Sequence, residues 1–278
     1  MKIFFIFLLF TPISVLAQPK IKKVLIEGEG TPIVMLAGGT ADMTVFTVHS
    51  KELSRNYKVI RMEQFNVQYA TDGLTLPKDY SVQMESEAIK LTLDSLDLKE
   101  PIVLVGHSYG GLVAFDFAIN HPDYIRSLVL IEPPVFSISE AKNEYPEGMK
   151  KMQELTKEFT PQAEITEDMV KLFRCDLMNC DTFDIHQHPL WATWVKQKNR
   201  LRGLSVVNKY QINLNKLHQF QKPVLIITGT QTVSFHKRID ELLAEEFSFV
   251  KTASIQGGHT AINTNPNEFI ECLLKFLK

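Results

Sequence analysis

The chain of 278 residues is long enough for one α/β domain with an insertion and too long for a small disulfide scaffold. Apolar residues make up 45% and charged residues 22%, an ordinary globular composition that argues against a disordered chain. Thirty Lys and Arg against 32 Asp and Glu give a net charge of −2. Nucleic acid is therefore not expected as a partner, because no basic excess exists to neutralise phosphates.

The N-terminus predicts a secretory signal peptide over residues 1–17. Lys2 precedes an unbroken apolar run over residues 3–10, which is too short to span a bilayer at about 20 residues. Residues 15–17 then match the kind of site that a signal peptidase cleaves, so we expect cleavage after Ala17. A membrane anchor or a buried first strand is the alternative. The prediction is a secreted or periplasmic protein without a stable membrane anchor.

Apolar runs and helical patterns alternate along most of the chain. The predicted strands are 33–37, 57–61, 102–106, 127–131, 224–228 and 248–255, and the main helical patterns are 81–98, 112–120 and 262–277. Continuous β-branched and leucine runs are typical of strands buried on both faces. The alternation predicts an α/β fold, with a mostly parallel sheet covered by helices on both faces.

One segment, residues 135–222, interrupts the alternation. It has no convincing strand and several helical stretches, and it is far longer than the dozen or so residues that a crossover needs. We expect a helical lid that rests on the sheet, inserted into a core formed by residues 18–134 and 223–278. A plain crossover connection is the alternative.

Three cysteines are too few for a disulfide scaffold. Cys175 and Cys180 are five residues apart and could close a small loop in an exported protein, although two reduced thiols are an equal alternative. Cys272 lies on the apolar face of the last helical pattern and is predicted to be a buried thiol.

The strongest chemical signal is the sequence Gly-His-Ser-Tyr-Gly over residues 106–110, followed by Gly111. It follows a predicted strand and opens a predicted helix, which is the context of a nucleophile elbow. Small residues must flank the serine because the turn is tight. Ser108 is therefore the candidate nucleophile, placed near a helix N-terminus that favours developing negative charge.

A serine hydroxyl needs a base to remove its proton, and His259 is the candidate. It follows two glycines on the loop after the last predicted strand, at the same edge of the sheet as Ser108. Among the other histidines, His107 is expected to pack or to form a hydrogen bond. Solvated roles are expected for four that fall in helices or at helix ends: His49, His121, His218 and His236. A metal cluster around His186 and His188 lacks a second ligand pair, so no metal is predicted.

With these motifs the chain resembles the α/β-hydrolase superfamily, in the lidded group that includes esterases and lactonases. The resemblance rests on Gly38-Gly39 after the first predicted strand, residues 106–111, the sequence Leu-Ile-Glu-Pro-Pro around Glu132, and Gly-Gly-His259. It implies Ser108 as nucleophile and His259 as general base. It also implies an oxyanion hole formed by the N–H groups of Tyr109 and Gly39, with Thr40 as the alternative to Gly39.

The chain departs from the family pattern at the third triad position. Many relatives carry an Asp three residues after the glycine that ends the fifth strand, and here that residue is Thr232. Some relatives place the acid at the end of the preceding strand, where this chain has Glu132. Glu132 is therefore the expected acid, with Asp240 or a dyad without an acid as alternatives. Residues 62–66 also lack the Asp-x-Arg-Gly stretch of many relatives, and Ala37 replaces a frequent histidine.

The resulting hypothesis is a secreted serine hydrolase that cleaves a small or medium apolar ester, thioester or lactone through an acyl-enzyme on Ser108. It requires no cofactor, and its partner is a small-molecule substrate. The alternative is a non-catalytic binding protein on the same scaffold, in which the missing Asp reflects lost turnover. A cofactor-free oxidase or peroxidase is a third possibility.

Overall fold

The computed structural model describes residues 21–178, 180 and 183–278. The predicted signal peptide lies outside the described residues. Seven strands form one sheet: β1 (Val24–Glu27), β2 (Pro32–Leu36), β3 (Lys58–Met62), β4 (Ile102–His107), β5 (Ile125–Ile131), β6 (Val224–Gly229) and β7 (Val250–Ile255). All six predicted strands are present, with boundaries shifted by at most two residues.

The strand order is β1-β3-β2-β4-β5-β6-β7, and every neighbouring pair is parallel except the antiparallel pair of β1 and β3. Strand β1 was not predicted from the sequence. This strand has four residues, lies at the sheet edge and buries no side chain fully, so it lacks the continuous apolar run that identifies the central strands. The predicted mostly parallel sheet is confirmed.

Twelve α-helices are present in the described part of the chain. They are α1 (Thr47–Leu53), α2 (Phe65–Thr71), α3 (Val82–Ser95), α4 (Tyr109–Asn120), α5 (Phe136–Ala141), α6 (Met149–Lys157), α7 (Glu167–Met178), α8 (Trp191–Lys196), α9 (Leu214–Gln219), α10 (Ser234–Glu246), α11 (Ala261–Thr264) and α12 (Pro266–Leu277). The predicted final helix is divided between α11 and α12, because Pro266 has no N–H to continue a helix and instead begins a new one. None of the described helices is both long and apolar enough to cross a membrane.

The two faces of the sheet bury separate apolar clusters. In β2, Val34 and Leu36 pack on the face that carries α3 and α4, whereas Ile33 and Met35 pack on the face that carries α1 and α12. All four side chains are completely buried. This two-sided burial explains why the central strands are continuous apolar runs. The parallel pairing of β2 to β7 places the carboxyl ends of these six strands along one edge of the sheet.

The segment between β5 and β6 contains α5 to α9 and no strand among its described residues. Several of the helices are shorter than the helical patterns in the sequence, because short 3₁₀ turns replace part of them. Cys175 and Cys180 form a disulfide at the end of α7. Cys272 is half-buried rather than fully buried as predicted, since it lies at the margin of the cluster around α12.

Candidate active site

Ser108 occupies a strained turn between β4 and α4. Its φ of 51° and ψ of −124° place a residue other than glycine in a region that side chains rarely adopt. The flanking glycines make the turn possible: a Cβ atom on Gly106 would lie 2.4 Å from the Gly110 carbonyl oxygen, and one on Gly110 would lie 2.3 Å from the Ala37 carbonyl oxygen. This conformation is that of a nucleophile elbow.

His259 lies on the loop between β7 and α11, where it meets Ser108. The distance from its Nε2 to the Ser108 Oγ is 2.9 Å. The His259 carbonyl oxygen accepts a 2.8 Å hydrogen bond from Nε2 of His107, which anchors the loop to the elbow. Burial, followed by the nearby charge of His259, lowers the pKa of His107 to about 4, so His107 is neutral at pH 7. His107 therefore forms a hydrogen bond, as expected.

Glu132 directly follows β5, and its carboxylate faces His259. The distance between Glu132 Oε2 and His259 Nδ1 is 2.6 Å. Two further donors hold the carboxylate: the Gly229 N–H and the Thr232 hydroxyl, each at 2.7 Å. Burial alone would raise the pKa of Glu132, but the hydrogen bond and charge of His259 outweigh it and lower the pKa to about 2. A charged carboxylate that accepts from Nδ1 leaves Nε2 free to accept the Ser108 proton.

The structure separates the two candidate acids. Asp240 lies in α10, where it accepts a 2.5 Å hydrogen bond from the Thr228 hydroxyl, and it forms no hydrogen bond with His259. Burial raises the pKa of Asp240 well above its ordinary value, which favours the neutral form. Thr232, at the position where many relatives have an Asp, donates to Glu132. The geometry thus joins Ser108, His259 and Glu132 in one hydrogen-bonded chain.

The backbone at Gly39 and Tyr109 borders the same cavity as Ser108. A Cβ atom on Gly39 would lie 3.2 Å from the Tyr109 Cβ and 2.6 Å from a Leu204 methyl carbon, so a larger residue would require the Leu204 side chain to move. Within the described residues, neither the Gly39 nor the Tyr109 N–H donates to another protein atom. Two such N–H groups can stabilise negative charge on a substrate oxygen. Thr40, the alternative donor, also borders the cavity.

Residues 62–66 support the loop after β2, residues 37–42, which we call the β2 loop. The Asn66 side-chain amide donates to the Gly39 carbonyl oxygen at 2.6 Å and to the Arg200 carbonyl oxygen at 2.7 Å. The fully buried Asn66 therefore fixes the peptide next to the Gly39 N–H and ties it to the inserted segment. Sequence reasoning did not find this role, because the segment lacks the family's usual Asp-x-Arg-Gly residues.

A buried glutamate lies beside the same loop. Glu63 Oε2 is 3.4 Å from the Met43 N–H, and its carboxyl group faces the charge of Asp42. Burial, together with the nearby charge of Asp42, raises the pKa of Glu63 to about 7. The Glu63 side chain is therefore close to half-charged at neutral pH.

A cavity of about 100 Å³ opens beside Ser108. Eight of its lining residues belong to the inserted segment: Phe136, Met152, Thr156, Phe173, Arg174, Leu177, Leu204 and Val207. Six of these side chains are apolar, Thr156 is polar, and Arg174 carries a charge. No role for Arg174 was predicted, since a lone arginine in a helix is an ordinary surface residue.

His236 is a second residue whose position the sequence did not reveal. It was expected to be solvated, but it is buried and its ring stacks on His259 with centroids 4.4 Å apart. Burial, with the charge of His259 next, lowers its pKa well below the ordinary value. His49 is also buried, with its Nε2 2.8 Å from the Ile262 carbonyl oxygen, contrary to the solvated role expected. Both histidines lie in the first turn of a helix, α1 for His49 and α10 for His236, and both side chains are buried.

Two histidine groups bear on metal binding. Glu132, His236 and His259 place one potential ligand atom each within 4.8 Å of one another, so they are a set that could hold a metal ion. Two members of this set, His259 and Glu132, are already joined by a hydrogen bond. His186 pairs with Asp184, and His188 stacks on Trp194. No metal was predicted at either place.

A protein-family model described as the alpha/beta hydrolase fold matches residues 31–169, which is half of the chain. The chain belongs to the alpha/beta hydrolase family. The matched region contains the β2 loop, Ser108 and Glu132, and the family predicted from these motifs is confirmed.

Individual relatives are distant. A cis-3-alkyl-4-alkyloxetan-2-one decarboxylase of Shewanella oneidensis is 26% identical over 116 residues, covering 42% of this chain and 36% of that protein. A protein of Pseudomonas savastanoi pv. phaseolicola that carries the name carbamate hydrolase RutD is 25% identical over 206 residues, covering 73% of this chain and 77% of that protein. The chain thus matches about a third of the length of the first relative and about three quarters of the second.

Solved structures show the same fold. A thermophilic esterase from Thermogutta terrifontis superposes with a TM-score of 0.70 at 17% identity, over 92% of each chain. This chain also superposes on a carboxylesterase from Bacillus subtilis, with a TM-score of 0.68 at 16% identity over 93% of this chain and 88% of that chain. An enol-lactonase from Burkholderia xenovorans superposes with a TM-score of 0.61 at 16% identity over 92% of this chain and 95% of that chain. The prediction of an enzyme of the alpha/beta hydrolase superfamily is confirmed by these relatives and neighbours.

Proposed function

We propose that the protein is a secreted serine hydrolase that cleaves a small or medium apolar ester, thioester or lactone through an acyl-enzyme on Ser108. The observation that carries the proposal is the hydrogen-bonded chain from Ser108 Oγ to His259 Nε2 at 2.9 Å and from His259 Nδ1 to Glu132 at 2.6 Å. This arrangement supplies a nucleophile, a base and an acid that orients the base.

In the first half-reaction, Ser108 Oγ attacks the substrate carbonyl carbon while His259 Nε2 takes the hydroxyl proton. The negative charge then moves to the carbonyl oxygen, which the N–H groups of Gly39 and Tyr109 stabilise. The charged Glu132 stabilises the imidazolium that forms. His259 returns the proton to the leaving oxygen or sulfur, and the C–O or C–S bond breaks to leave Ser108 acylated.

In the second half-reaction, His259 takes a proton from water, and the resulting hydroxide attacks the acyl carbon. The bond from the acyl carbon to Ser108 Oγ breaks, and the proton passes from His259 to Ser108. An ester, thioester or lactone is a better substrate than an amide, since an alkoxide or thiolate needs less protonation to leave. The names of relatives and neighbours, which include an oxetan-2-one decarboxylase and an esterase, are consistent with such substrates.

The non-catalytic alternative depended on the missing Asp at Thr232. The Glu132 carboxylate nevertheless forms a hydrogen bond with His259, and Thr232 donates a hydrogen bond to the same carboxylate. The geometry therefore favours turnover over simple binding. We also infer that the inserted segment, residues 135–222, covers the cavity as a lid, because eight of the lining residues come from it.

Secretion is proposed from residues 1–17 and is compatible with the disulfide between Cys175 and Cys180. Expression of the whole chain with its N-terminus intact, followed by cell fractionation and N-terminal sequencing, tests it. We expect an extracytoplasmic protein that begins at Gln18. A cytoplasmic protein that begins at Met1 would contradict the proposal.

A fluorophosphonate probe tests the serine chemistry, because it reacts covalently with activated serines. We expect the wild-type protein to be labelled at Ser108, and labelling to disappear in Ser108→Ala. Ser205, a buried serine outside the hydrogen-bonded chain, offers the matched control variant Ser205→Ala. Absence of labelling in the wild type, or equal labelling of Ser108→Ala, would refute the proposal.

A further inference from the structure

Arg174 brings a positive charge to the wall of the cavity that holds Ser108. It lies in α7, and its Nη2 donates a 3.0 Å hydrogen bond to the Thr40 hydroxyl on the β2 loop. Its guanidinium carbon lies 4.4 Å from the centre of the Trp194 ring. These two contacts fix the plane of the guanidinium next to the residue that follows Gly39.

The charge of Arg174 has no acidic partner among the described residues. The residue is half-buried, and its Nε atom is inaccessible to solvent and has no acceptor there. Burial lowers the pKa of Arg174 to about 10, so the group stays charged at neutral pH. Arg200, which reaches the same loop, differs because its guanidinium forms an ion pair with Asp42 at 3.0 Å.

An unpaired cation that is partly removed from water is unfavourable, because the lost hydration is not recovered unless a partner compensates. The described cavity lining contains no Asp or Glu. Of its other titratable side chains, His107 and His236 have lowered pKa values and are neutral at pH 7. Arg174 is thus the permanent cation on an otherwise largely apolar wall.

We propose that Arg174 binds a carboxylate of the substrate, so that the enzyme prefers esters or lactones that carry one free carboxylate on a short apolar body. The inference rests on the proposed hydrolase function and adds a substrate class to it. The guanidinium fork matches a planar carboxylate, and its Nη1 group donates to no described protein atom while Nη2 bonds Thr40. Ion pairing then compensates the charge only when substrate is present.

The position of Arg174 limits how far the carboxylate lies from the scissile bond. Thr40, which Arg174 contacts, is adjacent to Gly39, whose N–H is proposed to hold the substrate carbonyl oxygen. The cavity of about 100 Å³ leaves room for a few carbon atoms between the two groups. Short half-esters of dicarboxylic acids, or esters of small hydroxy acids, fit these constraints.

Two matched substrate pairs test the preference with the purified protein. Ethyl hydrogen glutarate and ethyl pentanoate differ in a carboxylate on the acyl side, and 3-butyryloxybenzoate and 3-butyryloxybenzamide differ in one on the leaving group. For at least one pair, we expect kcat/KM to be about tenfold higher for the anionic member, as charge-assisted hydrogen bonds predict. Arg174→Met should reduce that ratio about tenfold, and Arg174→Lys should reduce it less.

Lys171→Met is the matched control, because Lys171 is an exposed cation in the same helix and does not line the cavity. Its anionic-to-neutral ratio should equal that of the wild type. A wild-type ratio near one in both pairs, or an unchanged ratio in Arg174→Met, overturns the inference even though the enzyme hydrolyses neutral esters and reacts with the fluorophosphonate.

If Ser108 is not labelled and no ester is cleaved, the proposed function fails and binding alone decides the inference. Calorimetric titration with glutarate should then show binding to the wild type and to Lys171→Met, and a loss of at least about tenfold in Arg174→Met. Equal binding by the wild type and Arg174→Met, or no binding by the wild type, overturns it. Circular dichroism checks that Arg174→Met is folded.

Discussion

Replacing Glu132 with Gln should reduce kcat strongly while leaving the fold in place. The Gln side chain has nearly the same shape, and its oxygen can still accept from the Gly229 N–H. Its amide NH₂, however, would take the place of the oxygen that now accepts from His259 and from Thr232. The His259 Nδ1–H and the Thr232 hydroxyl, which are both donors, would then face the NH₂ group, which is also a donor. The imidazole would therefore favour the tautomer with its proton on Nε2, in which Nδ1 can accept from the NH₂ group.

The magnitude follows from the charge that the site stabilises. Burial opposes the charged form of Glu132, yet its pKa is lowered from 4.5 to about 2. At 1.36 kcal/mol for each pKa unit, the surroundings favour the carboxylate by about 3 kcal/mol. Without this carboxylate the imidazolium loses a stabilisation of that size, which lowers the rate about 10²-fold. In comparable triads the wrong imidazole tautomer extends the loss of rate to about 10⁴-fold.

The assay is steady-state hydrolysis of a short-chain p-nitrophenyl ester, with thermal unfolding as the check on folding. Asp240→Asn is the matched control, because Asp240 is also a buried carboxyl group but forms no hydrogen bond with His259. We expect Asp240→Asn to retain kcat within about threefold, since it lies outside the proton-transfer chain. Full kcat in Glu132→Gln together with its loss in Asp240→Asn would refute the assignment of the acid.

Three further predictions concern the surroundings of the site. Glu63 has a raised pKa of about 7, so the free energy of unfolding should fall as the pH rises from about 4.5 to 7. Glu63→Gln should remove this pH dependence and increase the free energy of unfolding at pH 8 by up to about 3 kcal/mol, measured by urea unfolding. Asn66→Asp cannot donate to the Gly39 carbonyl oxygen, so kcat should fall about 10- to 100-fold in ester hydrolysis. Replacing Cys175 and Cys180 with Ser should lower the free energy of unfolding by about 2 kcal/mol, measured in denaturant, because the disulfide closes only a short loop.

Two of these predictions have a matched control variant, and the third is checked against the oxidised wild type. Glu29→Gln changes an exposed glutamate and should leave the pH dependence of stability as it is, so an equal change in both variants would contradict the role of burial. Asn213→Asp makes the same substitution at the N-cap of α9, where Asp caps equally well, and should retain kcat. Unchanged kcat in Asn66→Asp would contradict the support of the β2 loop. For the cysteine variant, an unfolding curve equal to that of the oxidised wild type would contradict the contribution of the disulfide.

The sequence was sufficient for those features that short motifs or long apolar runs encode. The central strands are identifiable because both of their faces are buried, and the elbow is identifiable because Gly106 and Gly110 cannot carry a Cβ atom. The edge strand β1 was missed since it is short and largely exposed. Local signals of this kind require no knowledge of distant contacts.

Features that depend on contacts between distant residues could not be predicted in the same way. Asn66 and Gly39 are 27 positions apart, and Arg174 and Thr40 are 134 apart. His236 is stacked on His259 although its sequence neighbours indicate only a helix end. Such roles become visible only when the fold brings the β2 loop and the inserted helices to the carboxyl edge of the sheet.

The most direct test of the central claim is to trap the covalent intermediate during turnover. The protein is mixed with p-nitrophenyl acetate, quenched in acid at early times and analysed by peptide mass spectrometry. Our account predicts one acetyl group on the peptide that contains Ser108, at its highest level before the steady state, and none in Ser108→Ala. Release of p-nitrophenol at the wild-type rate by Ser108→Ala, or turnover with the acetyl group on another residue, would contradict it.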